Sequence, residues 1–64
     1  MNTYLFISED GQTQLIEAYN IDIAVYKLRK VQPKSKFKIA SITDGDGKVF
    51  NSVKELRYYV SEKI

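Results

Sequence analysis

The sequence predicts a small α+β domain of order ββαββα: a four-stranded antiparallel sheet with two helices packed on one of its faces. Three observations carry this expectation. Two runs rich in aromatic and β-branched residues, TYLFIS and TQLIEAY, flank Asp10-Gly11, and Asp-Gly between such runs marks a hairpin. A second glycine-rich turn, DGDG at 44–47, separates KFKIASIT from KVF. Each pair of runs is followed by a stretch with apolar residues at helical spacing. Two hairpins and two amphipathic helices make a sheet buried on one face and open on the other.

The first hairpin is expected to turn at Asp10-Gly11, a two-residue type I′ turn with positive φ at both centres. Leu5 then faces Ile16, and Tyr4 faces Glu17. Leu5, Ile7, Ile16 and Ala18 share the core face, while Tyr4, Phe6, Leu15 and Glu17 share the open one. The first helix begins after Asn20, a good N-cap, with Asp22 in its first turn where the helix dipole favours an anion. Ile21, Val25 and Leu28 form its apolar stripe, which can extend to Val31, and Pro33 prevents continuation. The third strand, KFKIASIT, alternates so that Phe37 and Ile39 point inward while Lys36 and Lys38 point outward. Either Asp-Gly pair of DGDG, or all four residues, can form the next turn. KVF is a short fourth strand. Ser52 and Glu55 match a capping box at the start of the last helix, whose buried stripe is Val53, Leu56 and Val60.

The chain reads as one domain, 1–64, with two ββα units, 1–33 and 34–64, forming a pseudo-repeat of topology with little residue identity. The expected core is Leu5, Ile7, Ile16, Ala18, Ile21, Val25, Leu28, Phe37, Ile39, Phe50, Val53, Leu56 and Val60.

Composition narrows the chemistry. With 64 residues, no Cys and no His, the chain has neither disulfides nor thiolate metal sites, and it lacks the commonest metal ligand and general base. A core this small must rely on good apolar packing or on association. A catalytic carboxylate pair needs an enclosing pocket that so short a domain rarely builds. We therefore expect no enzyme, no cofactor and no metal. DGDGK resembles the start of a calcium loop, with Asp44, Asp46 and Glu55 at suitable spacing. However, Lys48 stands where an oxygen ligand belongs and Val49 where the loop needs Gly. The N-terminus lacks a basic segment followed by an apolar run, and no stretch approaches the ~18–20 apolar residues of a membrane span. A cytoplasmic protein without membrane contact is the expectation. Heavy use of Lys, Ile, Asn and Tyr suits an AT-rich bacterial or phage genome.

Charge is sorted along the chain. Residues 1–26 contain no Lys or Arg, whereas 27–38 hold Lys27, Arg29, Lys30, Lys34, Lys36 and Lys38 with no acid among them, although the net charge is only +2. Two surfaces follow. The first is the open sheet face with Tyr4, Phe6 and Leu15, exposed aromatic and aliphatic groups that favour protein contacts or self-association. The second is the basic segment, a phosphate-binding surface whose affinity would come from counterion release. With aromatics beside lysines on a sheet, it would also suit nucleic-acid stacking. The element order is neither the βαββαβ of RNA-recognition domains nor the αβββα of double-stranded RNA-binding domains. The charge run also has ordinary structural roles, since cations at a helix C-terminus complement its dipole and lysines guard a sheet edge. The near-zero net charge puts protein contact first, as a small regulator or inhibitor of a larger partner, with nucleic acid as the alternative.

Overall fold

The computed structural model describes residues 1–63, with side chains through residue 61; Ile64, the last residue of the expected 1–64 domain, lies outside the described residues. The elements are β1 (Asn2–Ser8), β2 (Thr13–Ala18), α1 (Ile21–Val31), β3 (Ile39–Thr43), β4 (Val49–Phe50) and α2 (Val53–Lys63). Their order is the expected ββαββα. The strands form one antiparallel sheet in the order β2-β1-β3-β4. Among the described residues, no helix is long and apolar enough to cross a membrane.

Local chemistry sets the boundaries. The Ile23 amide donates to Asn20 Oδ1 (2.9 Å), capping α1. The Gln32 amide closes its C-terminus on the Leu28 carbonyl (2.7 Å), and Pro33 follows. The Glu55 amide donates to Ser52 Oγ (3.1 Å), capping α2. Asp22 near the start of α1 pairs with Arg57 of α2 across exposed surface.

Both hairpins close in the same way. In the first, the Ser8 amide donates to the Gln12 carbonyl (2.8 Å) and the Gly11 amide to the Ser8 carbonyl (3.1 Å). In the second, the Asp44 amide donates to the Lys48 carbonyl (2.9 Å) and the Gly47 amide to the Asp44 carbonyl (3.0 Å). Each loop therefore has three residues, where two were expected in the first and either an Asp-Gly pair or all of 44–47 in the second, and each ends on a glycine with φ near +90°, Gly11 at 90° and Gly47 at 84°. That is the three-residue hairpin in which a turn is followed by a left-handed glycine. The residue that opens each loop also binds across it. Ser8 Oγ accepts the Gln12 amide (2.9 Å), and Asp44 Oδ1 accepts the amides of Asp46 (3.0 Å) and Lys48 (2.9 Å).

The extra loop residue moves β1 by one position and overturns its expected orientation. Tyr4 stands opposite Ile16, and Leu5 opposite Leu15. Tyr4 and Phe6 are buried beneath the helices, Phe6 completely, while Leu5 and Ile7 face the open side and are half-buried. The period of two makes the exchange complete. Burying two aromatic rings removes more apolar surface than burying a Leu and an Ile. Ser8, the next residue on the same face, is buried too, and its loop bonds satisfy its hydroxyl.

The rest of the core is close to expectation. Tyr4, Phe6, Ile16, Ala18, Ile21, Ala24, Leu28, Phe37, Ile42, Phe50 and Leu56 form one cluster, with Val25, Ile39, Val53 and Tyr59 packed against it. Strand and helix residues share this cluster, so both helices cover the same sheet face. Ala24 and Ile42 join the expected members. Val60 does not, and it lies instead at the rim of a hollow beside Tyr59 and Asp44. The third strand is shorter than expected. Pro33 accepts from the amides of Lys36 (2.9 Å) and Phe37 (3.0 Å), which folds that segment into a turn. Lys36 and Lys38 therefore precede β3 and do not lie on the open sheet face. Ser8 pairs with Ile39 and Ile7 with Ser41, so Ala40 is skipped as a bulge.

Candidate binding surface

The uncovered face of the sheet is built by the outward positions of each strand. Those are Thr3, Leu5 and Ile7 of β1, Thr13, Leu15 and Glu17 of β2, Ser41 and Thr43 of β3, and Val49 of β4. Cross-strand pairing lines up four of them. Leu15 pairs with Leu5, Leu5 with Thr43, and Thr43 with Val49. The result is one transverse row, Leu15–Leu5–Thr43–Val49, that crosses the whole sheet. At the usual strand spacing it runs about 14 Å. Leu15 is 61% exposed and Val49 58%. Ile7 flanks the row, between Thr13 and Ser41. An open antiparallel face ordinarily alternates to polar residues; here its central row is aliphatic apart from one Thr.

Of the three residues expected to make the contact face, only Leu15 lies on it. Tyr4 and Phe6 belong to the core, and Leu5, Thr43 and Val49 complete the row in their place. The sequence holds a signal for this in the loop. Ser8 and Asp44 each stand three residues before the glycine that ends the loop, and both carry an oxygen that can receive the amide closing the turn. Counting three loop residues rather than two would have turned β1 over.

The six cations of the basic segment do not converge. Lys27 Nζ donates to the Glu17 carbonyl on β2 (2.8 Å). Arg29 Nη1 donates to the Phe37 carbonyl (2.7 Å) and, more weakly, to that of Gln32 (3.5 Å). Lys27 and Arg29 leave α1 roughly 200° apart around its axis, so they serve opposite flanks. Lys30 Nζ sits 4.9 Å from the centre of the exposed Tyr26 ring. Lys34 is exposed in the turn after Pro33. Lys36 and Lys38 line a hollow of about 320 Å³ with Ser35, but Glu9 and Asp10 line it as well. Two cations and two acids thus share this lining, so the hollow carries no net formal charge.

Two other groups are accounted for by structure. The Asp10 carboxyl lies below its ordinary range because the Ser8 hydroxyl and then the Gln12 side-chain amide donate to it. Asp44 spends its carboxylate on the two loop amides, and among the described residues no group of three or more acids converges on one point. Lys48 Nζ rests 4.0 Å from the Tyr59 ring, which itself lies 5.2 Å from the Phe50 ring. This stack ties α2 to the β3–β4 hairpin. Comparison with protein-family models, curated proteins and solved structures finds no match for this chain.

Proposed function

We propose that this protein is a small non-catalytic binding module that engages a larger protein partner through the open face of its sheet. It would act inside the cell, as a regulator or inhibitor of bacterial or phage origin. The observation that carries this reading is the Leu15–Leu5–Thr43–Val49 row. A mostly aliphatic row held in register by sheet pairing costs little entropy to dock and excludes water once covered. The residue inventory, with neither His nor Cys, supports binding over catalysis. The division of the basic segment between carbonyl contacts and acid neighbours supports a protein partner over nucleic acid.

The test is affinity capture from a host lysate, with and without nuclease, using the wild-type chain beside the double variant Leu5→Thr, Val49→Lys. Both substitutions sit on the open face and keep strand propensity or exposure. A retained protein that survives nuclease and is lost with the variant supports the reading. Retention that nuclease abolishes, or that the variant leaves intact, overturns it.

A further inference from the structure

We propose that two copies of this chain pair through their β2 edges, antiparallel about a two-fold axis at Leu15, to form a continuous eight-stranded sheet. The inference stands on edge backbone and on one flank of α1, and does not depend on the open-face reading.

β2 is an outer strand of the sheet. The bond from the Ser8 amide to the Gln12 carbonyl sets the alternation of the β1–β2 ladder. Counting back by two, Gln14 and Ile16 bond to β1, while Thr13, Leu15 and Glu17 turn their N–H and C=O groups away from it. The contact of Lys27 with the Glu17 carbonyl independently places that oxygen on the outside. Edge strands are normally protected by Lys, Pro, bulges or brevity. β2 is six residues long, has no Lys, Arg or Pro, and pairs without a register shift. Its counterpart at the far edge, β4, has two residues.

A two-fold axis at Leu15 sets Leu15 opposite its own copy and Thr13 opposite Glu17 of the other copy. All outward groups then pair, in roughly six backbone hydrogen bonds. The glutamates avoid each other. Leu15 meets Leu15 on the open side, so the aliphatic row of one copy continues into that of the next.

The helix above this edge fits the same axis. Lys27 marks the flank of α1 that overhangs β2. Its neighbours one turn away on that flank are Ile23 and Val31, 37% and 61% exposed. These two lie symmetrically about Lys27, so an antiparallel copy brings Ile23 against Val31 and Val31 against Ile23. The Lys27 side chains lean toward their own helix N-termini and separate. Their Glu17 carbonyls would stand roughly 13 Å apart along the strands. Each carbonyl has two lone pairs, enough for Lys27 and for the Thr13 amide of the second copy. Self-complementarity of strand and helix flank together is what selects a second copy over a foreign strand.

The test is sedimentation equilibrium of the full chain from micromolar to millimolar concentration, with amide exchange followed by NMR at both ends of the range. The mass should rise toward twice the 7.4 kDa of one chain, and exchange at Thr13, Leu15 and Glu17 should slow as it does. Thr13→Pro removes an outward N–H without taking a bond from the β1–β2 ladder, and should weaken association at least about tenfold. A synthetic chain N-methylated at Leu15 keeps every side chain and should show the same loss, which decides the matter should the proline variant not fold. A monomer at every concentration overturns the proposal, whatever else the edge binds. A dimer that leaves those three amides unprotected, or that both alterations leave intact, overturns it as well.

Discussion

The guanidinium of Arg29 donates to the carbonyl of Phe37, 2.7 Å away, and so ties the end of α1 to the segment that leads into β3. Phe37 is buried at that point, and the bond holds its backbone where the ring can enter the core. Arg29→Ala should lower stability by about 1.5–3 kcal/mol, the range for a hydrogen bond to a charged group. Lys30→Ala, one residue on, should change it by less than about 0.5 kcal/mol. Urea midpoints of the two variants check the contrast.

Phe6 and Leu15 should respond in opposite ways to truncation. Phe6→Ala removes a fully buried ring and should cost about 3–5 kcal/mol. A domain of this length has only about 3–10 kcal/mol in total, so the variant should lose a large share of its stability and show a much lower melting temperature by circular dichroism. Leu15→Ala at the exposed position should cost less than about 1 kcal/mol. A cost at Phe6 as small as that at Leu15 would mean that β1 presents its other face to the helices.

Two glycines of the DGDG turn should differ although they lie two residues apart. Gly47 has φ 84°, and an added Cβ meets nothing within 4 Å. The cost of Gly47→Ala is therefore one of backbone conformation, about 1–2 kcal/mol. Gly45 has no such φ, and its Cβ would stand 3.8 Å from the Thr3 carbonyl oxygen, an ordinary contact. Gly45→Ala should be neutral or raise stability by a few tenths of a kcal/mol, through a less flexible unfolded chain. Gly11→Ala should match Gly47→Ala. Thermal melts of the three variants decide it.

Acid should loosen the first hairpin through Asp10. Its pKa is lowered from the ordinary 3.8, first by the Ser8 hydroxyl and then by the Gln12 side-chain amide. A depressed carboxylate stabilises the fold fully above its unfolded pKa and loses that contribution as pH falls through the folded value. The Asp10 side-chain resonance should therefore titrate below 3.8 by NMR. Ser8→Ala should move the midpoint back up, since it removes the larger of the two donors.

How far these features can be read in advance depends on which physical quantity sets them. Element order was legible because caps, turns and periodicity are local: Asn20, Pro33 and Ser52 each mark a boundary that holds in the structure. The inward face of β1 was not. TYLFIS is apolar on both parities, so alternation cannot choose between Tyr4–Phe6 and Leu5–Ile7. The choice falls to loop length, and a single added residue reverses it. The basic segment misled for a different reason. Neighbours in sequence separate by about 100° each on a helix, so Lys27 and Arg29 reach different partners. Val60 keeps its helical phase with Leu56, yet burial depends on what lies opposite, and α2 faces a strand of only two residues.

That brevity of β4 has a consequence for growth. A ladder lengthens without limit only when each added unit offers a fresh side as receptive as the one it has just covered. Here one border of the sheet offers a full length of backbone and the other offers two residues, so lateral addition on the long side leaves only short borders exposed. If two copies pair through β2, the assembly therefore ends at two and does not propagate as a fibre.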